Sequence, residues 1–248
     1  MSASKNNQAV GCLLPEAMRR YYLDTMGIQV WQSVEQQPQV AAVTSDNTEN
    51  SKTGHDDTAN RDAIWQQLEQ DVANCTKCEL HSSRTQTVFG TGDKNADLLI
   101  IGEAPGRDED LQGEPFVGRA GQLLNAMLAA IGLDREQVYI ANILKCRPPN
   151  NRDPLAEEAA ACNPWLQQQI ALIQPAVILA LGRIAAHNLL NTEQSLAALR
   201  GKQHSYAGIP LLVSYHPAYL LRKPVEKRKS WQDLKRVKSL LNSNGSST

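Results

Sequence analysis

DLLIIGEAPGRDED, residues Asp97–Asp110, joins a strand to the loop that the strand delivers. The run Asp97–Ile101 ends in Gly102 and has the length and composition of a strand buried on both faces of a parallel sheet. It breaks at Glu103-Ala104-Pro105-Gly106, where Gly and Pro force a tight turn that lets backbone approach a ligand closely. The acids Asp108, Glu109 and Asp110 follow. In open α/β sheets ligands bind beyond the carboxyl ends of the strands, which is where this loop falls. Taken alone, the stretch reads equally well as an ordinary βα turn with solvated acids.

Outward from it, strands and helices alternate. Upstream, Arg61–Asn74 places Ile64, Trp65, Leu68 and Val72 at helical spacing. Downstream, Gly121–Ile131 predicts a helix stopped by Gly132, and Val138–Ile143 the next strand. Pro154–Ile173 predicts a long helix that Pro164 should kink or divide. Ala176–Leu181 is a third parallel strand and Gly182–Leu190 a short helix. Gln203–Tyr206 and Pro210–Ser214 predict strands joined at Ala207-Gly208, and Val225–Leu241 a closing basic helix. This order predicts a three-layer α/β/α sandwich around a mostly parallel sheet of about four strands.

The folded domain is expected over residues 61–248. Residues 1–35 hold a short helical segment, and 36–60 a flexible tether, since Gln36–Asn60 has no aromatic residue and no Leu, Ile or Met. No apolar run reaches membrane-spanning length and no secretory segment follows Met1, so the expectation is a cytoplasmic, membrane-free monomer. The formal net charge of −1 hides an uneven distribution. Glu35–Asp57 has five acids and one base, −4, whereas Arg222–Lys238 has eight bases and two acids, +6. A basic end on a near-neutral chain suits a polyanion such as nucleic acid, or else a solvated helix face.

Five cysteines make an odd set, which in a reducing compartment favours metal ligation over disulfides. Cys75-Thr-Lys-Cys78 has the gap that lets two sulfurs grip one centre, and Cys146 and Cys162 form a second pair closed by folding. Four thiolates from two segments fit either a tetrahedral zinc or a [4Fe–4S] cluster. Cys12 lies outside the folded region.

Three further residues converge on the sheet edge of Glu103: Asn142 near the end of its strand, His216 after the strand Leu211–Val213, and Phe116 in the loop leaving the first motif. Here the chain resembles a known family. GEAPGRDED, GEPFVGRAGQLL, NILKCRPPNNRDP, the four cysteines and HPAYLLR stand together, in order over Asn74–Leu241, as in the family four uracil-DNA glycosylases. The resemblance implies excision of uracil from DNA and a [4Fe–4S] cluster on Cys75, Cys78, Cys146 and Cys162.

The residues carry that chemistry well. A base in a duplex must leave the stack to be attacked at its sugar bond. Phe116 would stack on the flipped ring. The Asn142 amide offers one acceptor and one donor, matching uracil N3–H and O4. His216 would donate to O2 and stabilise the leaving anion, helped by backbone N–H groups of the Glu103–Ala104 turn. Glu103 would position the attacking water or stabilise the sugar cation. The best-known uracil glycosylases carry aspartate where this chain has Ala104 and a methyl-blocking tyrosine where it has Gly106; family four shares both departures. A sister group that links covalently to DNA has a basic insertion that is absent between Gly106 and Gly118.

On DNA, Leu220 or Leu221 would wedge into the minor groove and Arg222 would meet phosphate. Residues 19–31 are similar to the peptide by which the psi subunit of the bacterial clamp loader binds its chi partner, an expectation of a replication-protein partner. The competing function is a non-catalytic, metal-bearing DNA-binding module whose acidic loop is only structural.

Overall fold

The structure, a computed structural model, describes residues 54–244. The expected amino-terminal segment 1–35, its replication-protein contact at 19–31 and the tether up to residue 53 lie outside them. Helix α1 (Gly54–Ala73) begins earlier than Arg61. A helix anchored by packing extends at little cost beyond its amphipathic part.

The run that opened the sequence reading forms β2 (Leu98–Gly102), every residue of it buried. Its side chains alternate between two layers. Leu99 and Ile101 face one core with Trp65, Val72, Leu166 and Ile170; Leu98 and Ile100 face the other with Leu124, Leu128, Leu234 and Val237. Burial on both faces is why this strand and its neighbours read as continuous apolar runs.

The sheet has six strands, ordered β1-β3-β2-β4-β6-β5. β3 (Tyr139–Asn142), β4 (Val177–Leu181) and β6 (Ile209–Ser214) run parallel with β2 and make the expected four-stranded centre. Two antiparallel edges enlarge it. β5 (Gln203–Tyr206) pairs with β6, and β1 (Thr91–Gly92), too short for any periodicity, pairs with β3. β3 and β4 flank β2 on opposite sides, so the chain reverses direction across the sheet at the carboxyl end of β2. That is the crevice-forming point of a doubly wound sheet.

Helices α2 (Arg107–Gln112), α3 (Arg119–Ala130), α4 (Ala156–Ile173), α5 (Arg183–Leu190), α6 (Leu196–Leu199), α7 (Pro217–Arg222) and α8 (Lys227–Asn244) complete the layers. Of the two effects expected of Pro164, division does not occur: α4 runs on through it. Burial of Trp165, Leu166, Ile170 and Ile173 along one side offsets its missing N–H, a loss of about 3 kcal/mol. Among the described residues no helix is long and apolar enough to cross a membrane.

Helix α8 is pinned by charge as well as by packing. Asp233 takes the Arg200 guanidinium at 2.7 Å and the Ser214 hydroxyl at 2.7 Å, with side chains only 10% (Arg200) and 5% (Asp233) exposed. Ser214 ends β6, so this buried pair fixes the chain just before His216. Asp233→Ala should cost on the order of 3–5 kcal/mol, because Arg200 is left buried without a counter-charge. Urea unfolding checks it; a change within experimental error would show the pair to be dispensable.

Candidate active site

At the carboxyl end of β2 lies a cavity of about 460 Å³, lined by Glu103, Ala104, Gly106, Phe116, Asn142 and His216 among others. That volume suits a small ring with room for its attachment. The sheet itself places two of the walls. Beyond the strand ends the β2–β3 ladder continues, with Ile143 N–H donating to Gly102 O at 3.0 Å and Leu144 N–H to Glu103 O at 3.1 Å. Asn142 and Glu103 are thereby held side by side.

Gly102 makes the closeness possible. A Cβ there would lie 2.4 Å from Asn142 Oδ1 and 2.7 Å from Phe116 Cζ. The Asn142 amide is buried, and its Oδ1 finds no hydrogen-bond donor among the described residues. Such an orphan acceptor costs about 1–3 kcal/mol unless a ligand supplies an N–H.

Phe116 sits at φ 54°, 6% exposed, with its ring 5.4 Å from the His216 ring at 29°. A left-handed phenylalanine costs on the order of 1–3 kcal/mol and persists only where its surroundings demand it. The ring is one of the walls of the cavity.

His216 caps α7, and its Nδ1 accepts the Ala218 N–H at 3.2 Å. A backbone N–H can only donate, so Nδ1 carries the lone pair. Burial, with the nearby Arg222 charge, pulls the ring's pKa down to about 4. At neutral pH the imidazole is therefore uncharged and its proton sits on Nε2. Glu103 moves the opposite way. Burial first and the Asp153 charge second raise it to about 7, against a smaller lowering by Arg183, which pairs with Asp153 at 2.8 Å. A carboxyl that titrates near neutrality beside an uncharged imidazole donor can accept a proton on one side of a ligand and hydrogen-bond an anion on the other.

α7 decides between the two candidate wedges. Pro217 opens a helix, and the helical period turns Leu220 inward, 1% exposed, leaving Leu221 37% exposed beside Arg222. Leu220 is core; Leu221 alone of the two can meet a partner. Arg222 lines the cavity mouth.

The four cysteines also meet. Cys75, Cys78, Cys146 and Cys162 line one cavity with Lys77, His81 and Arg84. Among the described residues no three His, Cys, Asp or Glu side chains are grouped to hold a single metal ion. Three sulfurs accept hydrogen bonds: Cys146 from Arg84 Nη1 at 3.1 Å, Cys162 from the Lys145 N–H at 3.2 Å and Cys75 from Trp165 Nε1 at 3.4 Å. Four cysteine sulfurs lining one space, three of them accepting N–H hydrogen bonds, form a candidate metal or iron–sulfur site.

Two residues escaped the sequence reading. Lys145 is buried with Nζ 3.1 Å from Asn142 O and 2.6 Å from Gln169 Oε1, so one residue ties the cysteine cavity to the end of β3. Asn151, also at the pocket, is left-handed at φ 53° and accepts from Arg147 Nε at 2.7 Å. Its signal was present in Pro148-Pro149-Asn150-Asn151, a sequence built for left-handed turns.

Residues 89–235 match the model of the Uracil DNA glycosylase superfamily. The chain is 45% identical to the type-4 uracil-DNA glycosylase of Archaeoglobus fulgidus over 69% of its length and 90% of the relative's. It is 45% identical to that of Pyrobaculum aerophilum, covering 68% and 90%, and 40% identical to that of Thermotoga maritima, covering 75% and 98%.

With ¹³C-labelled glutamate, the Glu103 carboxyl should titrate near pH 7, and Asp153→Asn should move its midpoint down by removing a nearby negative charge. A midpoint in the ordinary carboxylate range for the unmodified protein would contradict the burial that defines this wall.

Proposed function

This chain belongs to the type-4 branch of the uracil-DNA glycosylase superfamily, and on that premise we propose how its pocket works. It is a DNA repair enzyme that removes uracil from DNA, releasing the free base and leaving an abasic site. The observation that carries the reading of the pocket is the orphaned Oδ1 of Asn142. It accepts the uracil N3–H while the amide nitrogen donates to O4; cytosine offers N3 as an acceptor and N4 as a donor, the reverse pattern. The extruded ring stacks on Phe116 and runs along the backbone of Ala104 and Gly106.

Hydrolysis breaks the bond between uracil N1 and C1′ of the sugar. The electron pair leaves on the uracil, spread over N1 and O2, and Nε2–H of neutral His216 hydrogen-bonds O2 as that charge grows. A neutral donor avoids an already charged partner in a dry pocket and needs no proton transfer. The ionised Glu103 stabilises the cationic sugar and takes a proton from the water that attacks C1′. Outside the pocket, Leu221 enters the gap left by the base. Arg222 and the basic face of residues 223–238 meet phosphates.

Cys75, Cys78, Cys146 and Cys162 would hold a [4Fe–4S] cluster in the cysteine cavity. The cluster would supply a rigid knot between the loop of Cys146 and helix α4; no step of hydrolysis passes through it. The hydrogen bonds from Arg84, Lys145 and Trp165 fit ligation by thiolates.

On a uracil-containing oligonucleotide the protein should release uracil and leave alkali-labile sites, with a rate that rises with pH through about 7 as Glu103 ionises. His216→Ala should slow release by on the order of 10²-fold. Failure to release uracil, or an unchanged rate in His216→Ala, would refute the assignment. Purified without oxidation the protein should be brown, with about four iron atoms per chain; a colourless, zinc-loaded, fully active protein would refute the cluster.

A further inference from the structure

The turn Pro115–Gly118 has no strand or helix to hold it, yet it presents Phe116 in a backbone conformation that phenylalanine rarely adopts. Two side chains from outside the turn take up its backbone groups. Glu109, in α2, accepts from the N–H groups of Val117 and Gly118 through Oε1, at 3.1 and 3.2 Å. Its other oxygen accepts from Gly106 N–H at 3.1 Å. An ordinary glutamate at this helical position caps its own helix only; this one caps with one oxygen and reaches across to the next loop with the other.

Arg135 answers from the opposite side. It lies in the 3₁₀ turn ahead of β3 and donates to the carbonyls of Pro115 and Phe116, the latter at 3.4 Å, and to Asn125 Oδ1 at 3.3 Å. The donors of the turn thus face a carboxylate and its acceptors face a guanidinium. Helix α3 closes the remaining side, where a Cβ at Gly121 would fall 1.6 Å from Phe116 O. Glu109 spends its hydrogen bonds on this turn and the Gly106 loop beside it, and Arg135 spends two of its three on the turn, the third going to Asn125 in α3.

We propose that Glu109 and Arg135 are positioning residues of the uracil pocket: acting through the backbone on either side of Phe116, they hold its ring where an extruded base stacks. The proposal rests on the stacking role given to Phe116 above. It also accounts for the linkage of two pocket walls, because Glu109 fixes the Gly106 loop and the Phe116 turn to each other with a single carboxylate.

A double-mutant cycle on the full-length protein separates this role from general stabilisation. Single-turnover excision from a uracil-containing oligonucleotide is measured for Phe116→Ala, Glu109→Gln and the double variant, alongside thermal unfolding. Phe116→Ala should lose on the order of tenfold or more, the worth of one aromatic stacking partner. Glu109→Gln should lose somewhat less, and the double variant should lose clearly less than the product of the two single losses, any excess over Phe116→Ala alone reflecting the Gly106 loop. Losses that multiply would overturn the proposal while leaving the stacking role intact. No loss in Phe116→Ala would remove the stacking role itself and the proposal with it. Should Glu109→Gln fold poorly, Arg135→Ala and Arg135→Lys give the same test. Lysine should recover part of the loss only when Phe116 is present, and equal recovery without Phe116 would count against the clamp.

Discussion

A buried amide oxygen with no donor is a standing cost in a folded protein, and Asn142 Oδ1 bears it at the bottom of this pocket. The backbone that carries this amide is held from several sides. The β2–β3 ladder runs on to Ile143 and Leu144. Lys145 reaches back to the Asn142 carbonyl, and Gln169 in α4 holds the same ammonium. Gly102 keeps clear the space that any side chain would fill. The helix that carries Gln169 also carries Cys162, so the cysteine cavity and the strand end that bears Asn142 share one support. In the proposed complex a single N–H from the base relieves the cost.

Electrostatics divides the labour on the remaining walls. Burial acts on both Glu103 and His216, and because it disfavours whichever form is charged, it drives the two pKa values apart in opposite senses. The imidazole is locked as a neutral Nε2–H donor by the Ala218 N–H on its other nitrogen. The carboxyl is left near pH 7, where the Asp153–Arg183 pair biases it from the rim. One desolvated cleft therefore holds an uncharged N–H donor and a carboxyl close to its midpoint at neutral pH, the two groups the proposed hydrolysis calls on.

Much of this was legible beforehand, for identifiable reasons. A strand buried on both faces must be apolar throughout, so Asp97–Ile101 announced β2 and the crevice that follows it. Phe116 stands in a Gly-rich loop, Asn142 ends β3 and His216 caps α7, all beyond or at the strand ends that border the crevice. What was hidden depends on tertiary placement. Lys145, between Leu144 and Cys146, reads as surface charge until the fold buries it. Glu109 reads as one solvated acid among three until the Phe116 turn arrives beside it. The choice between Leu220 and Leu221 is a matter of helical phase, set only once Pro217 and His216 start a helix. Edge strand β1, at Thr91–Gly92, has too few residues to show a period, and Pro164 failed to break α4 because the packing of its neighbours outweighs one lost hydrogen bond.

A crystal structure with free uracil bound tests the central claim most directly. The expected result is uracil flat on Phe116, with N3 within hydrogen-bonding distance of Asn142 Oδ1 and O2 within reach of His216 Nε2. Uracil bound elsewhere, or bound at this edge with the Asn142 oxygen still unpaired, would contradict the account.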